Sequence, residues 1–182
     1  MRFATPKTTA FGVFLILFGL YLLTLSPTFG FVDKGEMAAV ASTLGIAHPT
    51  GYPSTMLLGK LFVLLLPGRD VVALNIMSAL LTAAGGGVLS LLFDYLLRMA
   101  FAGGRGEEKK EKEKGKKEKE TKRGDVAEES SARGHTLDMS PPMRSVMAGI
   151  AALLTGLTAT WWGQGTSFEV YSLHCLMMPL LT

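Results

Sequence analysis

Residues 10–25 read AFGVFLILFGLYLLTL and lie inside a longer stretch, residues 8–32, that contains no Asp, Glu, Lys or Arg. Residues 71–93 and 145–168 also lack these four residue types. Each stretch can cross a hydrocarbon core of about 30 Å, which takes roughly 20 helical residues. Because a soluble domain rarely holds three such runs, the sequence predicts an all-α, polytopic membrane protein.

Most of the charge of this 182-residue chain lies between residues 98 and 144. Residues 105–125 alone hold ten Lys/Arg and seven Asp/Glu, without aromatic residues. This mixture has nothing to bury, so it predicts a disordered or transiently helical spacer over residues 100–140. Binding of this spacer to anionic lipid is a weaker alternative, because the glutamates dilute its positive charge. Without aromatic residues to stack on bases, no nucleic-acid partner is expected.

The distribution of basic residues predicts the orientation in the membrane. Arg2 and Lys7 precede the first apolar run, and the Lys/Arg-rich spacer lies between two spans. Both features favour the cytoplasmic side. The alternative for the N-terminus is a cleavable signal peptide with residues 10–25 as its apolar core. That core is slightly long for a signal peptide, and no A-x-A cleavage pattern follows it.

Three regions follow from these patterns. Residues 1–99 hold two spans, near residues 10–25 and 70–99. A loop rich in Gly, Pro, Ser and Thr (28–55) and a short apolar segment (56–66) connect them. The short segment predicts an interfacial helix with Lys60 reaching to water.

The charged spacer, residues 100–140, is the second region. Residues 141–182 form the third, with a span over 145–162, a second non-cytoplasmic loop and the start of a fourth span near Val170. Because the last apolar run stops at residue 182 and is too short to cross a membrane, we expect the chain to be the N-terminal fragment of a longer protein or the product of a truncated gene model.

One face of the second span carries small residues at spacing four (Ser78, Thr82, Gly86 and Ser90), and the glycine triplet at 85–87 adds to them. Small residues let another helix approach closely, so we expect helix packing there, with a substrate groove as the alternative.

Polar residues that could carry chemistry lie next to the spans. The topology places Asp33, Glu36, His48 and Glu169 together on the non-cytoplasmic side. In a pair of carboxylates, one can act as a base while the other orients a substrate. Asp33 and Glu36 could instead be surface residues that cap a helix beginning near Glu36, and His48 could be an ordinary hydrogen-bonding residue of a loop. No spacing of His, Cys or acidic residues predicts a metal site.

The ordered set of motifs resembles a known family. The resemblance covers residues 10–98 and 145–182. The motifs are Ser26-Pro27-Thr28, Asp33-x-Gly35-Glu36, LGIAHPTGYP at 44–53, LGKLF at 58–62, NIMSAL at 75–80 and WxQ-x4-EVYSL at 162–173. This set is similar to the polytopic GT-C glycosyltransferases of the transmembrane protein O-mannosyltransferase type. Two positions depart from the family pattern, since Thr50 replaces a usual second proline and Lys34 replaces a commonly small residue.

The resemblance implies the N-terminal part of a GT-C helical fold in the endoplasmic reticulum membrane. It implies an inverting transfer of mannose from dolichyl phosphate mannose to Ser or Thr of luminal protein domains. The partners would then be membrane lipid, the lipid-linked sugar donor and a luminal acceptor protein. No cofactor is implied with certainty, and a need for divalent metal is left open.

The resemblance also implies residue roles. Asp33 would be the catalytic base and Glu36 its supporting carboxylate. Substrate-binding roles would fall to five further residues: His48, Tyr52, Lys60, Glu169 and Tyr171. Of these, the first three are candidates to bind the lipid phosphate, while the last two would help shape the same pocket.

A non-enzymatic multi-pass protein, such as a transporter subunit or an inactive truncated relative, is the alternative. Transporters tend to place ionisable groups in the middle of their spans and often contain inverted repeats. Here the spans are free of charge, the carboxylates lie at helix ends, and no repeat is visible. The pattern therefore favours the transferase.

Overall fold

The computed structural model describes residues 5–28, 33–48, 51–121 and 139–181, and every regular element within these ranges is an α-helix. The all-α prediction is confirmed for this part of the chain. The helices are α1 (Pro6–Leu23), α2 (Lys34–Thr43), α3 (Pro53–Leu65), α4 (Asp70–Thr121), α5 (Pro141–Gly156), α6 (Ala159–Thr166) and α7 (Tyr171–Leu181).

Two of these helices, α1 and the Asp70–Phe101 part of α4, are long and apolar enough to cross a membrane. The α5–α6 pair also passes this test if its two helices are counted as one span. The structure therefore agrees with a polytopic membrane protein of about three spans. Helix α3, as predicted, is apolar and too short to span. Its location in the headgroup region stays a prediction.

The first helix begins earlier than the apolar run that predicts it. Thr5 is the N-cap, where its hydroxyl accepts from the Thr8 backbone N–H and the Thr8 hydroxyl in turn pairs with the Thr5 N–H. Pro6 follows at the first helical position, where its missing N–H costs nothing. This capping box satisfies two of the backbone donors that a helix start leaves unpaired.

Helix α4 does not end near Met99, as the sequence predicted, but continues to Thr121. The added segment consists largely of Glu and Lys, which favour helix, and the two alternate at spacings that permit i,i+4 pairing. The rest of the predicted spacer, residues 122–138, lies outside the described residues, so the prediction of its disorder is not addressed.

The span predicted over residues 145–162 is not one continuous helix. The chain bends by 72° between α5 and α6, at Leu157 and Thr158. No proline marks the bend, but the Tyr21 hydroxyl donates to the Gly156 carbonyl at 2.7 Å. The tyrosine thereby pairs with a carbonyl at the end of α5, and its ring packs edge-on against Trp162 in α6.

Helix α4 is the centre of the bundle, with α1, α5, α6 and α7 packed around it. Its glycine triplet permits this arrangement. A Cβ at Gly85 would lie 2.2 Å from the backbone carbonyl oxygen of Cys175 in α7, and one at Gly87 would lie 3.1 Å from the Ala10 carbonyl oxygen in α1. The glycines therefore serve helix packing, as expected from their spacing.

Different polar contacts hold the two ends of the membrane-spanning bundle. Near residue 101, buried Asp94 accepts hydrogen bonds from Arg98 (2.8 Å), Arg144 (3.2 Å) and Ser145 (2.9 Å), which attach the start of α5. At the opposite end, the Ser26 N–H donates to the Thr166 carbonyl at 2.9 Å. The segments that follow α1 and α6 thus meet at one end of the bundle, where the candidate site lies.

Candidate functional site

Asp33 lies at the start of α2, in the segment that follows the first span. It occupies the N-cap position, yet its side chain makes no capping hydrogen bond with the helix. The residue is exposed, and its carboxylate lines a cavity at this end of the bundle. A carboxylate that makes no capping hydrogen bond with its own helix can bind a ligand.

Glu36, one turn further along α2, binds His48. Its Oε1 accepts the His48 backbone N–H at 2.9 Å, and the imidazole Nδ1 lies 3.2 Å from each carboxylate oxygen. These two hydrogen bonds, from the backbone first and the ring second, hold the pKa of Glu36 below its usual value of 4.5. With Nδ1 as the donor, Nε2 is the ring nitrogen that can bind a ligand.

The turn after His48 has an unusual backbone. Gly51 and Tyr52 both adopt positive φ, at 72° and 43°. Positive φ is ordinary for glycine but uncommon for tyrosine, and such residues are found often at functional sites. The Tyr52 ring meets the His48 ring nearly edge-on at 6.2 Å. The turn therefore presents two aromatic side chains to the cavity. Pro49 and Thr50 of the same motif lie outside the described residues.

Asn75, fully buried in the first turns of α4, joins the two segments that build the site. Its Nδ2 donates to the Ser26 carbonyl at 2.8 Å and to the Thr28 carbonyl at 3.4 Å. Its Oδ1 accepts the Phe168 N–H at 2.7 Å. One side chain thus satisfies backbone groups on both segments, and it places Glu169, the next residue, beside the start of α2.

Lys34 and Glu169 form an ion pair across these segments, with Nζ 3.0 Å from Oε1. The same ammonium group donates to the Ser167 hydroxyl at 2.6 Å. About a quarter of each charged side chain is exposed, so the pair lies at the wall of the cavity rather than in open water.

The cavity between α2, the His48–Tyr52 turn and the start of α7 has a volume of about 280 Å³. Such a volume is near the lower end of the range for small-molecule sites. Its lining is a mixture of charged, aromatic and apolar side chains: Asp33, Lys34, Met37, His48, Tyr52, Glu169, Val170 and Tyr171. In the described ranges, no group of three His, Cys, Asp or Glu is arranged to hold a metal ion.

Five of the seven residues predicted for the site line this cavity: Asp33, His48, Tyr52, Glu169 and Tyr171. The other two do not. Glu36 lies behind His48 and can act on the cavity only through it. Their individual roles in catalysis and binding stay predictions.

Lys60 is the other residue outside the cavity, and whether it also reaches water stays a prediction. Its half-buried ammonium donates to the Ser42 carbonyl. Ser42 lies in the last turn of α2, where carbonyls lack helical partners and need other donors. This contact follows from the packing of α3 on α2, where Gly59 lies against Ala41.

Sequence reasoning missed Lys34 as a site residue. It stands next to Asp33 in the motif, and from the sequence it is only a departure from the family pattern. Its partner, Glu169, is distant in sequence, and the sequence held no signal that pairs the two.

Comparison with known proteins identifies a family and a relative. Residues 33–182 match the family model described as the protein O-mannosyl-transferase TMEM260 N-terminal domain. A mouse protein named protein O-mannosyl-transferase TMEM260 is 36% identical over 90 residues, which are 49% of this chain and 12% of the mouse protein. The chain thus aligns with only a small part of that relative. No solved structure matches the chain.

Proposed function

Since the chain belongs to the TMEM260 family of protein O-mannosyl-transferases, by the match over residues 33–182, we propose that it transfers mannose to Ser or Thr hydroxyl groups of luminal protein domains. The proposed donor is dolichyl phosphate mannose, a sugar carried on a membrane lipid. The proposed location is the endoplasmic reticulum membrane, with the cavity on the luminal side. The helices would then form the N-terminal part of a GT-C fold.

The observation that carries this proposal is the cavity at one end of the membrane bundle. Asp33, His48 and Glu169 come from separate segments and line it together. A lipid-borne sugar is held at the membrane surface, whereas a protein acceptor approaches from water. A site at the end of the spans can be reached by a donor in the membrane and by an acceptor in the aqueous phase.

The proposed reaction is a single displacement at C1 of mannose. The Asp33 carboxylate accepts the proton of the acceptor hydroxyl as its oxygen forms a bond to C1. The bond between C1 and the phosphate oxygen breaks, and its electron pair leaves with the lipid phosphate. A positioned base contributes about 10²- to 10⁴-fold to such a step.

The neighbouring side chains support this role for Asp33. His48, fixed by Glu36, offers Nε2 to a sugar hydroxyl or a phosphate oxygen. Tyr52 and Tyr171 add apolar ring surface and hydroxyl groups, which suit a sugar that has both apolar and polar faces.

A direct test uses membranes that contain the protein expressed from its whole reading frame, with radiolabelled dolichyl phosphate mannose and a folded acceptor domain bearing Ser and Thr. We expect radiolabel on the acceptor domain, and alkaline β-elimination should release this label. When labelled GDP-mannose is supplied and the lipid-linked donor is absent, the acceptor should carry no label. Membranes without the protein are the matched control. Absence of transfer by correctly inserted protein, or label that resists β-elimination, would contradict the proposal.

A further inference from the structure

Lys34 is the one Lys or Arg that lines the cavity within the part of the chain that the structure describes. The other cation expected at the site, Lys60, is bound to the Ser42 carbonyl outside the cavity. His48 is engaged with Glu36 through Nδ1. Lys34 is therefore the cavity's strongest positive charge.

The surroundings of Lys34 resemble those of a cation prepared for an anionic ligand. Its ammonium contacts the Glu169 carboxylate and the Ser167 hydroxyl. An ammonium group has three N–H donors, and its contacts among the described residues use two of them, which leaves one for a ligand. The Ser167 hydroxyl, which donates to the Gly163 carbonyl at 3.3 Å, is held in place by α6.

We infer that Lys34 binds the phosphate of the isoprenoid phosphate donor, and that Glu169 neutralises the ammonium while the donor is absent. This inference rests on the proposed function and names a group for the leaving phosphate. When the bond to C1 breaks, negative charge grows on a phosphate oxygen. A fixed cation in a partly water-excluded site stabilises that charge. A phosphate oxygen can take the place of a carboxylate oxygen at the same ammonium, because both are charged acceptors.

A competing explanation is that the ion pair only ties α2 to the segment before α7. The two explanations predict different effects of the Glu169→Gln substitution on phosphate affinity. A purely structural tie is lost equally when either partner loses its charge. A phosphate site loses affinity with Lys34→Gln but gains it with Glu169→Gln, because the carboxylate repels phosphate and competes for Lys34.

The experiment measures retention of radiolabelled dolichyl phosphate by the detergent-solubilised protein, expressed from its whole reading frame. Dolichol, the same lipid without phosphate, reports on folding and on binding of the isoprenoid chain. Arg69→Gln is the matched control, since it removes one exposed positive charge at the start of α4, outside the cavity.

We expect Lys34→Gln to weaken dolichyl phosphate binding by about 10- to 100-fold, as loss of a charged hydrogen bond predicts. Its dolichol binding should match that of the wild type. Lys34→Arg should restore most of the affinity, Glu169→Gln should bind dolichyl phosphate several-fold more tightly, and Arg69→Gln should behave as the wild type.

Three results would overturn the inference: equal binding by the wild type and Lys34→Gln, equal losses in Lys34→Gln and Glu169→Gln, or displacement by inorganic phosphate or phosphatidylserine at the concentration that dolichyl phosphate requires. The last result would identify a site for free phosphate or for bulk anionic lipid. Failure of the wild type to bind dolichyl phosphate at all would count against the proposed function itself, and the inference would fall with it.

Discussion

The Asn75 amide oxygen accepts the Phe168 N–H at 2.7 Å, while the amide nitrogen of the same residue donates to the Ser26 carbonyl at 2.8 Å. One buried side chain in α4 thereby holds together the two segments that contribute the polar residues of the cavity. Glu169, the partner of Lys34, directly follows Phe168 in one of these segments.

Replacing Asn75 with Ala should destabilise the protein. The change leaves the buried Phe168 N–H without a partner, which costs about 1–3 kcal/mol for that group alone. Thermal unfolding in detergent measures the loss. Thr82→Ala is the matched control on the same helix, because the Thr82 hydroxyl is also buried and has no hydrogen-bond partner among the described residues. Equal melting temperatures for the two variants would show that the Asn75 hydrogen bonds contribute little.

Replacing Gly85 with Ala should separate α7 from α4. The new Cβ would meet the Cys175 carbonyl at 2.2 Å, and a backbone atom cannot rotate away as a side chain can. Overpacking of this kind costs typically about 1–3 kcal/mol. Gly19→Ala in α1 is the control, since nothing lies within 4 Å of its Cβ position. If Gly85→Ala melts no lower than Gly19→Ala, the close approach of the two helices is wrong.

The contact between Glu36 and His48 should make stability depend on acid pH. Because the folded-state pKa of Glu36 is below its usual value of 4.5, the contact stabilises the folded protein above about pH 4.5. This stabilisation is lost as pH falls from 4.5 through the lower folded-state pKa. We therefore expect Glu36→Gln to melt slightly below the wild type near neutral pH, with the difference vanishing in acid.

Melting curves of the two proteins between pH 3 and pH 7 check this prediction. A difference that grows as pH falls would contradict it. The effect should be small, because both side chains are partly exposed.

Orientation in the membrane can be measured with single cysteines, because Cys175 is the chain's one native cysteine. In a Cys175→Ala background, a cysteine at Lys117 should react with a membrane-impermeant thiol reagent in sealed microsomes. A cysteine at Arg69 should react only after the microsomes are permeabilised. The reverse pattern would place the cavity on the cytoplasmic side and would contradict the proposed luminal reaction.

Much of the fold follows from the sequence, because membrane crossing imposes a length and an absence of charge that can be read directly. The runs around residues 8–32 and 71–93 correspond to α1 and to α4. The bend after Gly156 could not be predicted in this way. It accompanies a hydrogen bond from Tyr21, a residue in another helix, and the local sequence holds no proline to mark it.

The candidate site was predictable to the extent that its residues lie in local motifs. Asp33 and His48 lie in the loop between the first two spans. The distribution of basic residues alone therefore predicts that they lie on the same side of the membrane as Glu169. The contact of Lys34 with Glu169 could not be predicted, because the two residues are distant in sequence and meet only in the folded protein. The contact of Lys60 could not be predicted either, since its partner, the Ser42 carbonyl, belongs to a neighbouring helix.

Mannose transfer by Asp33→Asn tests the central claim most directly, because Asn keeps the shape of the side chain and removes the base. Asp70→Asn is the matched control, an equivalent change at the start of α4 outside the cavity. We predict that Asp33→Asn lowers the transfer rate from dolichyl phosphate mannose by about 100-fold or more, while Asp70→Asn transfers as the wild type does. Transfer by Asp33→Asn at the wild-type rate would contradict the assignment of Asp33 as the base.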